Sequence, residues 1–262
     1  MSYSLSAEAA EYYEATMVPA LFADWAPRAV AAASVGPGRR VLDIACGTGV
    51  VARAAADRGA AVVGIDRNEA MLAVARRLRP ELRWVSGDAA RLPFVDDAFD
   101  AAVSQAALMF FPDRVAALRE MGRVAAGRVV VQVPGRLAES PGYLALTDVV
   151  ARHAGPAVRD LFDLYFAVGE PALLTRLFDE AGLRVERFDT WLGATRSASL
   201  DTFLGAELLP FVGSVPPDVR ARILADCPAA LAPFLDAAGA VAAPIEVHLV
   251  SLIPPGPGTL LP

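Results

Sequence analysis

Four short stretches carry residues able to do chemistry, and each closes a run of apolar residues. The first, Val41-Leu42-Asp43-Ile44, leads into Ala45-Cys46-Gly47-Thr48-Gly49 and then directly into Val50-Val51-Ala52-Arg53. Glycines at such a turn let the backbone approach a ligand where a side chain would collide, so Gly47 and Gly49 mark a binding loop. The amides opening the following helix meet the same ligand. Asp43, two residues before the turn, can organise the loop and receive an ammonium group. Roughly twenty residues further on, a second apolar run ends at Asp66, where a carboxylate can accept both hydroxyls of a ribose. These two features alone are ambiguous. Gly47-Thr48-Gly49-Val50-Val51-Ala52 also fits a dinucleotide fingerprint, which keeps a nicotinamide-dependent oxidoreductase open. The third stretch, Ser86-Gly87-Asp88-Ala89, places another carboxylate after an apolar run. The fourth, Ser104-Gln105, is followed by Met109-Phe110-Phe111-Pro112-Asp113.

Composition narrows the chemistry. All 24 basic side chains are arginine, which excludes a Schiff-base lysine and a Walker-type phosphate lysine. The two histidines, His153 and His248, lie far apart without nearby cysteines, so no metal site is expected. Cys46 adjoins the glycine loop, but nothing near it in sequence would activate a thiol. A net charge of -6 argues against a nucleic-acid partner, which needs clustered positive charge. No apolar run is long enough to span a membrane, and the N-terminus has glutamates in place of a basic leader region. With two cysteines and no disulfide framework, a cytoplasmic location is expected.

The elements that must position these residues alternate in type. Strands are expected at 41–44, 61–65, 82–85, 99–103 and 128–133, with helices at 50–58, 69–78 and 114–124 between them. Asn68 and Asp113 are the expected N-caps of the second and third of these helices. Such alternation implies right-handed βαβ units and a parallel sheet. Ahead of them lies a helical segment that Pro19 and Pro27 should break into pieces and Gly36-Pro37-Gly38 should end. Behind them, 140–166 reads as helical, 171–181 as a helix, 183–188 as a strand, 200–235 as helical and 245–253 as a last strand. The sequence thus divides into an N-terminal helical cover (1–36), an α/β domain (37–253) with helical insertions near 140–168 and 197–237, and a tail (254–262).

Read together, VPALFADWA, VLDIACGTGVVARAA, GIDRNEAMLAVAR, GDAARLPF, FFPDRVAALREMGRV and PIEVHLV resemble the class I S-adenosylmethionine-dependent methyltransferases. The resemblance is to their ubiquinone/menaquinone-biosynthesis-like group of small-molecule enzymes. It implies a Rossmann-like, doubly wound, mostly parallel seven-stranded sheet with an antiparallel last strand and a helical cover. It implies S-adenosylmethionine as cofactor and S-adenosylhomocysteine as product. Ala45, Gly47 and Gly49 would then meet the methionine portion over a loop shaped by Asp43. Asp66 would take the ribose, Arg67 and Met71 would flank the adenine, and Asp88 and Ala89 would read its edge. Ser104 and Gln105 would close the methionine end. Two departures stand out: Ala45 replaces a common glycine, a conservative change, and Ala125-Ala126-Gly127 implies a shortened loop before the fifth strand.

The sulfonium methyl is already an activated electrophile, so alignment and exclusion of water are the enzyme's main tasks. A small apolar or aromatic acceptor is expected, lined by Tyr13, Phe22, Met109, Tyr143, Phe162, Tyr165 and Phe166. No catalytic base is identified; His153 is the one tempting residue, in a context equally suited to a helix end. A nicotinamide oxidoreductase and a non-catalytic cofactor-binding protein are the alternative readings.

Overall fold

The computed structural model describes residues 6–156, 160, 163–208 and 215–254. Seven strands form one sheet: β1 (Arg40–Ile44), β2 (Ala61–Asp66), β3 (Arg83–Ser86), β4 (Phe99–Gln105), β5 (Ala125–Pro134), β6 (Arg184–Ser197) and β7 (Val241–Ile253). Their spatial order is β3-β2-β1-β4-β5-β7-β6. Strands β1 to β5 pair in parallel, and β7 runs antiparallel to both β5 and β6. This is the expected arrangement, with the last strand as the antiparallel one. The chain leaves β1 toward β2 and β3, then crosses to β4 on the other side. That reversal opens a crevice at the carboxyl ends of β1 and β4, where ligands bind in open α/β sheets.

Helices cover both faces. On one, α5 (Arg114–Val124) and α7 (Pro171–Glu180) bury Leu118, Met121, Leu174 and Phe178 against Leu42, Ile44, Ala102 and Val131. On the other, α2 (Ala23–Ala32) and α3 (Val50–Ala56) bury Ala29, Val30, Val51 and Ala55 against Val41, Val103 and Val130. The helix α4 (Glu69–Leu78) follows β2, and the Asn68 side chain accepts from the Ala70 and Met71 amides as its N-cap. Asp113 caps α5 through the Ala116 amide. No described helix is long and apolar enough to cross a membrane.

The structure redraws several expected boundaries. The N-terminal prolines do not break the helix. After α1 (Ala7–Met17) the chain widens into a π-turn at Val18–Phe22 and continues as α2. There the Val18 and Ala23 amides reach carbonyls five residues back, and the wider turn absorbs Pro19, which has no amide proton. Pro27 is tolerated inside α2. The expected helical run 140–166 is interrupted: α6 (Pro141–Ala154) stops at Gly155, whose φ of 80° no ordinary side chain adopts easily. A 3-10 turn, Leu164–Phe166, follows further on.

No loop separates α5 from β5, which begins at Ala125 rather than Arg128. The last two strands are longer than their sequence patterns. β6 runs on to Ser197 and β7 starts at Val241, because each pairs with the other over its whole length. Their outer half projects beyond β5 and carries a helical layer of α6, α8 (Leu200–Glu207) and α9 (Pro217–Leu231), packed through Val150, Phe203, Ile223 and Val241.

Candidate active site

Strand order brings the sequence-derived residues onto one edge. Asp43, Ala45, Gly47 and Gly49 leave β1; Asp66 and Arg67 leave β2; Asp88 and Ala89 follow β3; Ser104 and Gln105 end β4. All four strands are parallel, so these residues lie at the same carboxyl edge. Met71 follows in the first turn of α4, buried against Ala10 and Val74 with Tyr13 beside it.

The glycine turn is held by carboxylates from both strands. Asp43 is buried, and its Oδ2 accepts the Ala52 amide at 2.8 Å, tying β1 to α3. Burial pushes its carboxyl up to about 7, against the pull of that amide. Asp66 Oδ2 accepts the Gly47 amide at 2.8 Å and Oδ1 the Asn68 amide at 2.7 Å. Burial raises the Asp66 carboxyl too, and the same amides oppose it. Gly49, with φ of 87°, leaves no room for a side chain: a Cβ there would stand 2.4 Å from the Trp84 ring. Ala45 also has a left-handed backbone, φ 54°, so the exchange for glycine is strained rather than neutral. Ala106, just past β4, repeats this at φ 52°. Non-glycine residues held this way cluster at functional sites.

Space lies over the turn. A Cβ on Gly47 would meet only Tyr13 Cε1, at 4.0 Å, so the Tyr13 ring forms a roof above an open cradle. The roof is latched by Arg53, which donates to Glu14 of α1 at 2.8 Å and to the Thr48 carbonyl. Where β1 and β4 end, three buried polar atoms lack partners: Thr48 Oγ1, Ser104 Oγ and Gln105 Oε1. Buried polar groups are normally paired, and a ligand bringing its own donors and acceptors would complete these. The residues present therefore fit a nucleoside-bearing cofactor with a polar amino-acid end.

An aromatic cluster adjoins the cradle. Phe22, Trp25, Tyr143 and Phe166 are buried together with Ile245 and Val247, and Tyr13 and Tyr165 pack against them. Tyr13 stacks on Phe22 at 5.5 Å, and Tyr143 meets Phe166 edge-on at 5.5 Å. A cavity of about 250 Å³, lined by Arg136, Leu137, Ala138, Asp163, Phe166 and Glu170, opens beside the cluster. Five of the expected acceptor-lining residues are thus brought together. Met109 is the exception: it is buried in the main core with Leu42, Ile65 and Leu118, because the 3-10 turn Leu108–Phe110 folds it under the sheet. Phe162 lies outside the described residues.

The histidines stand apart from this cluster. His153 Nε2 is 2.8 Å from Asp226 Oδ2, linking α6 to α9 in the outer helical layer. His248 is buried in β7, 2.8 Å from both the Thr190 hydroxyl and the Gly169 carbonyl. Burial and the nearby Asp43 carboxylate keep the Cys46 thiol well above its ordinary range, so it is no thiolate nucleophile.

Sequence reasoning missed Trp84, the Glu14–Arg53 latch, Gln132 and Glu207. Glu207 ends α8, buried beside the Tyr143 hydroxyl, with Oε1 unpartnered. Burial raises its carboxyl to about 7, and the Tyr143 hydrogen bond draws it partly back. Tyr143 also lies 2.6 Å from Thr195 Oγ1. Either hydroxyl of that pair can donate. Nothing in the local pattern around Glu207 signals burial; only the packing of α8 on α1 and β6 does so.

Among known proteins, residues 42–130 match the family described as Methyltransferase domain. A demethylmenaquinone methyltransferase of Beutenbergia cavernae is 44% identical over 109 residues, 41% of this chain and 45% of that protein. The chain spans about half the length of the curated relatives it matches. The solved YcgJ protein of Bacillus subtilis superposes with a TM-score of 0.59 at 22% identity, over 86% of this chain and 95% of that one. A candidate methyltransferase from an antibiotic biosynthesis pathway of Anabaena variabilis gives a TM-score of 0.65 at 17% identity, over 87% and 96%. These two similarities are of fold.

Proposed function

We propose that the chain is a class I S-adenosylmethionine-dependent methyltransferase acting on a small apolar or aromatic metabolite, a reading supported by the match of residues 42–130 to the Methyltransferase domain family and by the shared fold. The observation that carries this reading is the roofed cradle over Gly47, flanked by Asp43, Asp66, Ser104 and Gln105 at a single sheet edge. S-adenosylmethionine, when bound, supplies a methyl group on a sulfonium that a nucleophile displaces in line.

The chain's own residues hold and shield. Asp66 takes the ribose hydroxyls while continuing to brace Gly47, since each carboxylate oxygen has two lone pairs. Asp43 keeps the loop closed, and an ammonium brought beside it would favour the ionised form that burial opposes. Arg67 and Met71 flank the base, and Asp88 and Ala89 meet its edge. Tyr13, Phe22, Tyr143, Tyr165 and Phe166 enclose the acceptor and exclude water, which is where much of the acceleration arises. No side chain needs to form a covalent intermediate.

Two measurements test the reading. S-adenosylhomocysteine should raise the melting temperature where NAD does not. Incubation with S-adenosylmethionine and acceptor pools, demethylmenaquinone among them because curated relatives carry that name, should yield a product one methylene heavier. Stabilisation by NAD alone would return the oxidoreductase reading. Binding without turnover across broad pools would favour a non-catalytic role.

A further inference from the structure

Gln132 is wholly buried near the carboxyl end of β5, and neither its amide nitrogen nor its amide oxygen has a partner. Exchanging the two amide atoms changes nothing, because both are orphaned. A core position filled this way is costly where leucine, of similar size, would not be. Such a group calls for an explanation, and its surroundings supply one.

Gln132 and Gln105 are register partners on the parallel strands β5 and β4, so their side chains leave the same face of the sheet. Two residues earlier on the same strands, Val130 and Val103 pack against Ala29 and Val30 of α2, which identifies that face. Gln105 donates to the Phe22 carbonyl at 3.4 Å, so the pair lies beneath the π-turn, next to the aromatic cluster. Gln105 Oε1 is also unpartnered. The Gln132 backbone is fixed, its carbonyl accepting the Ala106 amide at 2.7 Å. In strand order β4 separates Gln132 from the glycine turn of β1. A molecule reaching Gln132 therefore comes from beyond the cofactor's edge, on the acceptor's side.

We propose that Gln132, beside Gln105, is the polar clamp of the methyl acceptor, gripping an uncharged oxygen function on an otherwise apolar molecule. An amide offers one acceptor and one donor group and carries no charge. Its Oε1 accepts a hydrogen bond from a hydroxyl and its Nε2 donates one to a carbonyl. This rests on the methyltransferase reading and adds to it the kind of group the acceptor must bear.

The test compares three probes of one shape: 2-naphthol, 2-acetonaphthone and 2-methylnaphthalene. Calorimetry at pH 8 measures each against the full chain, with and without saturating S-adenosylhomocysteine. Both oxygen-bearing probes should bind about tenfold more tightly than 2-methylnaphthalene, as hydrogen bonds in a dry site allow. Gln132→Leu should abolish both preferences and leave S-adenosylhomocysteine affinity unchanged. Gln132→Glu, which can only accept once ionised, should keep 2-naphthol and reject 2-acetonaphthone. If the leucine variant does not fold, Gln132→Met, of similar length and without either amide atom, decides in its place. The clamp is overturned if the wild-type chain shows no preference, if Gln132→Leu retains it, or if that variant loses S-adenosylhomocysteine in parallel. Failure of S-adenosylhomocysteine to bind the wild-type chain sinks the methyltransferase reading instead, and the probes on the unloaded chain still decide the clamp.

Discussion

Asp66 accepts the amide proton of Gly47 at 2.8 Å, so the carboxylate ending the second strand braces the glycine turn that leaves the first. Under the proposed function, the same side chain would also take the ribose of the cofactor. Asp66→Ala should weaken S-adenosylmethionine and S-adenosylhomocysteine by roughly 1.5–3 kcal/mol, the scale of a hydrogen bond to a charged group. Calorimetry on the two ligands checks this, and unchanged affinity would remove Asp66 from the site.

Ala45 holds a left-handed backbone at φ 54°. A Cβ in that region collides with its own carbonyl, at about 1–2 kcal/mol, while glycine surrenders part of that gain through unfolded-state entropy. Ala45→Gly should therefore stabilise the chain by up to ~1 kcal/mol, read as a rise in Tm. Gly49→Ala should do the reverse, because its new Cβ would stand 2.4 Å from the Trp84 ring. Equal melting temperatures for the two variants would contradict the strain.

Glu207 makes stability fall as pH rises. Its carboxyl moves from an ordinary 4.5 to about 7 on folding. Between those values the folded chain keeps a proton that the unfolded chain has released. The contribution is fully present below pH 4.5 and lost as pH climbs through 7. Each tenfold difference in proton affinity between the folded and unfolded chain is worth about 1.4 kcal/mol, so the whole effect is roughly 3 kcal/mol. Asp43 adds a slope of the same sign. Glu207→Gln should gain on the wild-type chain between pH 5 and pH 8 in denaturant titrations. A stability difference independent of pH would show that Glu207 is ionised in the fold.

His153 is paired with Asp226 in the outer layer. Its replacement by alanine should keep turnover within about tenfold, a smaller loss than the roughly 10²–10⁴-fold typical of a missing general base. Initial rates at saturating cofactor measure this once an acceptor is known. A thousandfold loss with fold and cofactor affinity intact would make His153 the base.

The sequence by itself determined the succession of the inner strands along the chain, the caps at Asn68 and Asp113, and the strand-end residues of the candidate site. These are short-range facts: apolar runs, turn glycines and caps are set by neighbours within a few positions, and parallel βαβ units leave little choice of where strand ends meet. Only the tertiary structure decided the rest. The outer halves of β6 and β7 are strands because each pairs with the other, although Gly193, Ala194 and Ala242 have little strand preference of their own. Met109 was separated from the other aromatic-cluster candidates by one 3-10 turn. Glu14 and Arg53, 39 positions apart, latch the roof. Gln132 reads as one polar residue in the apolar run VVVQV, and Glu207 as an ordinary helix end. Their burial depends on which distant segments settle over them, and pairing across such distances leaves no periodic mark on the chain.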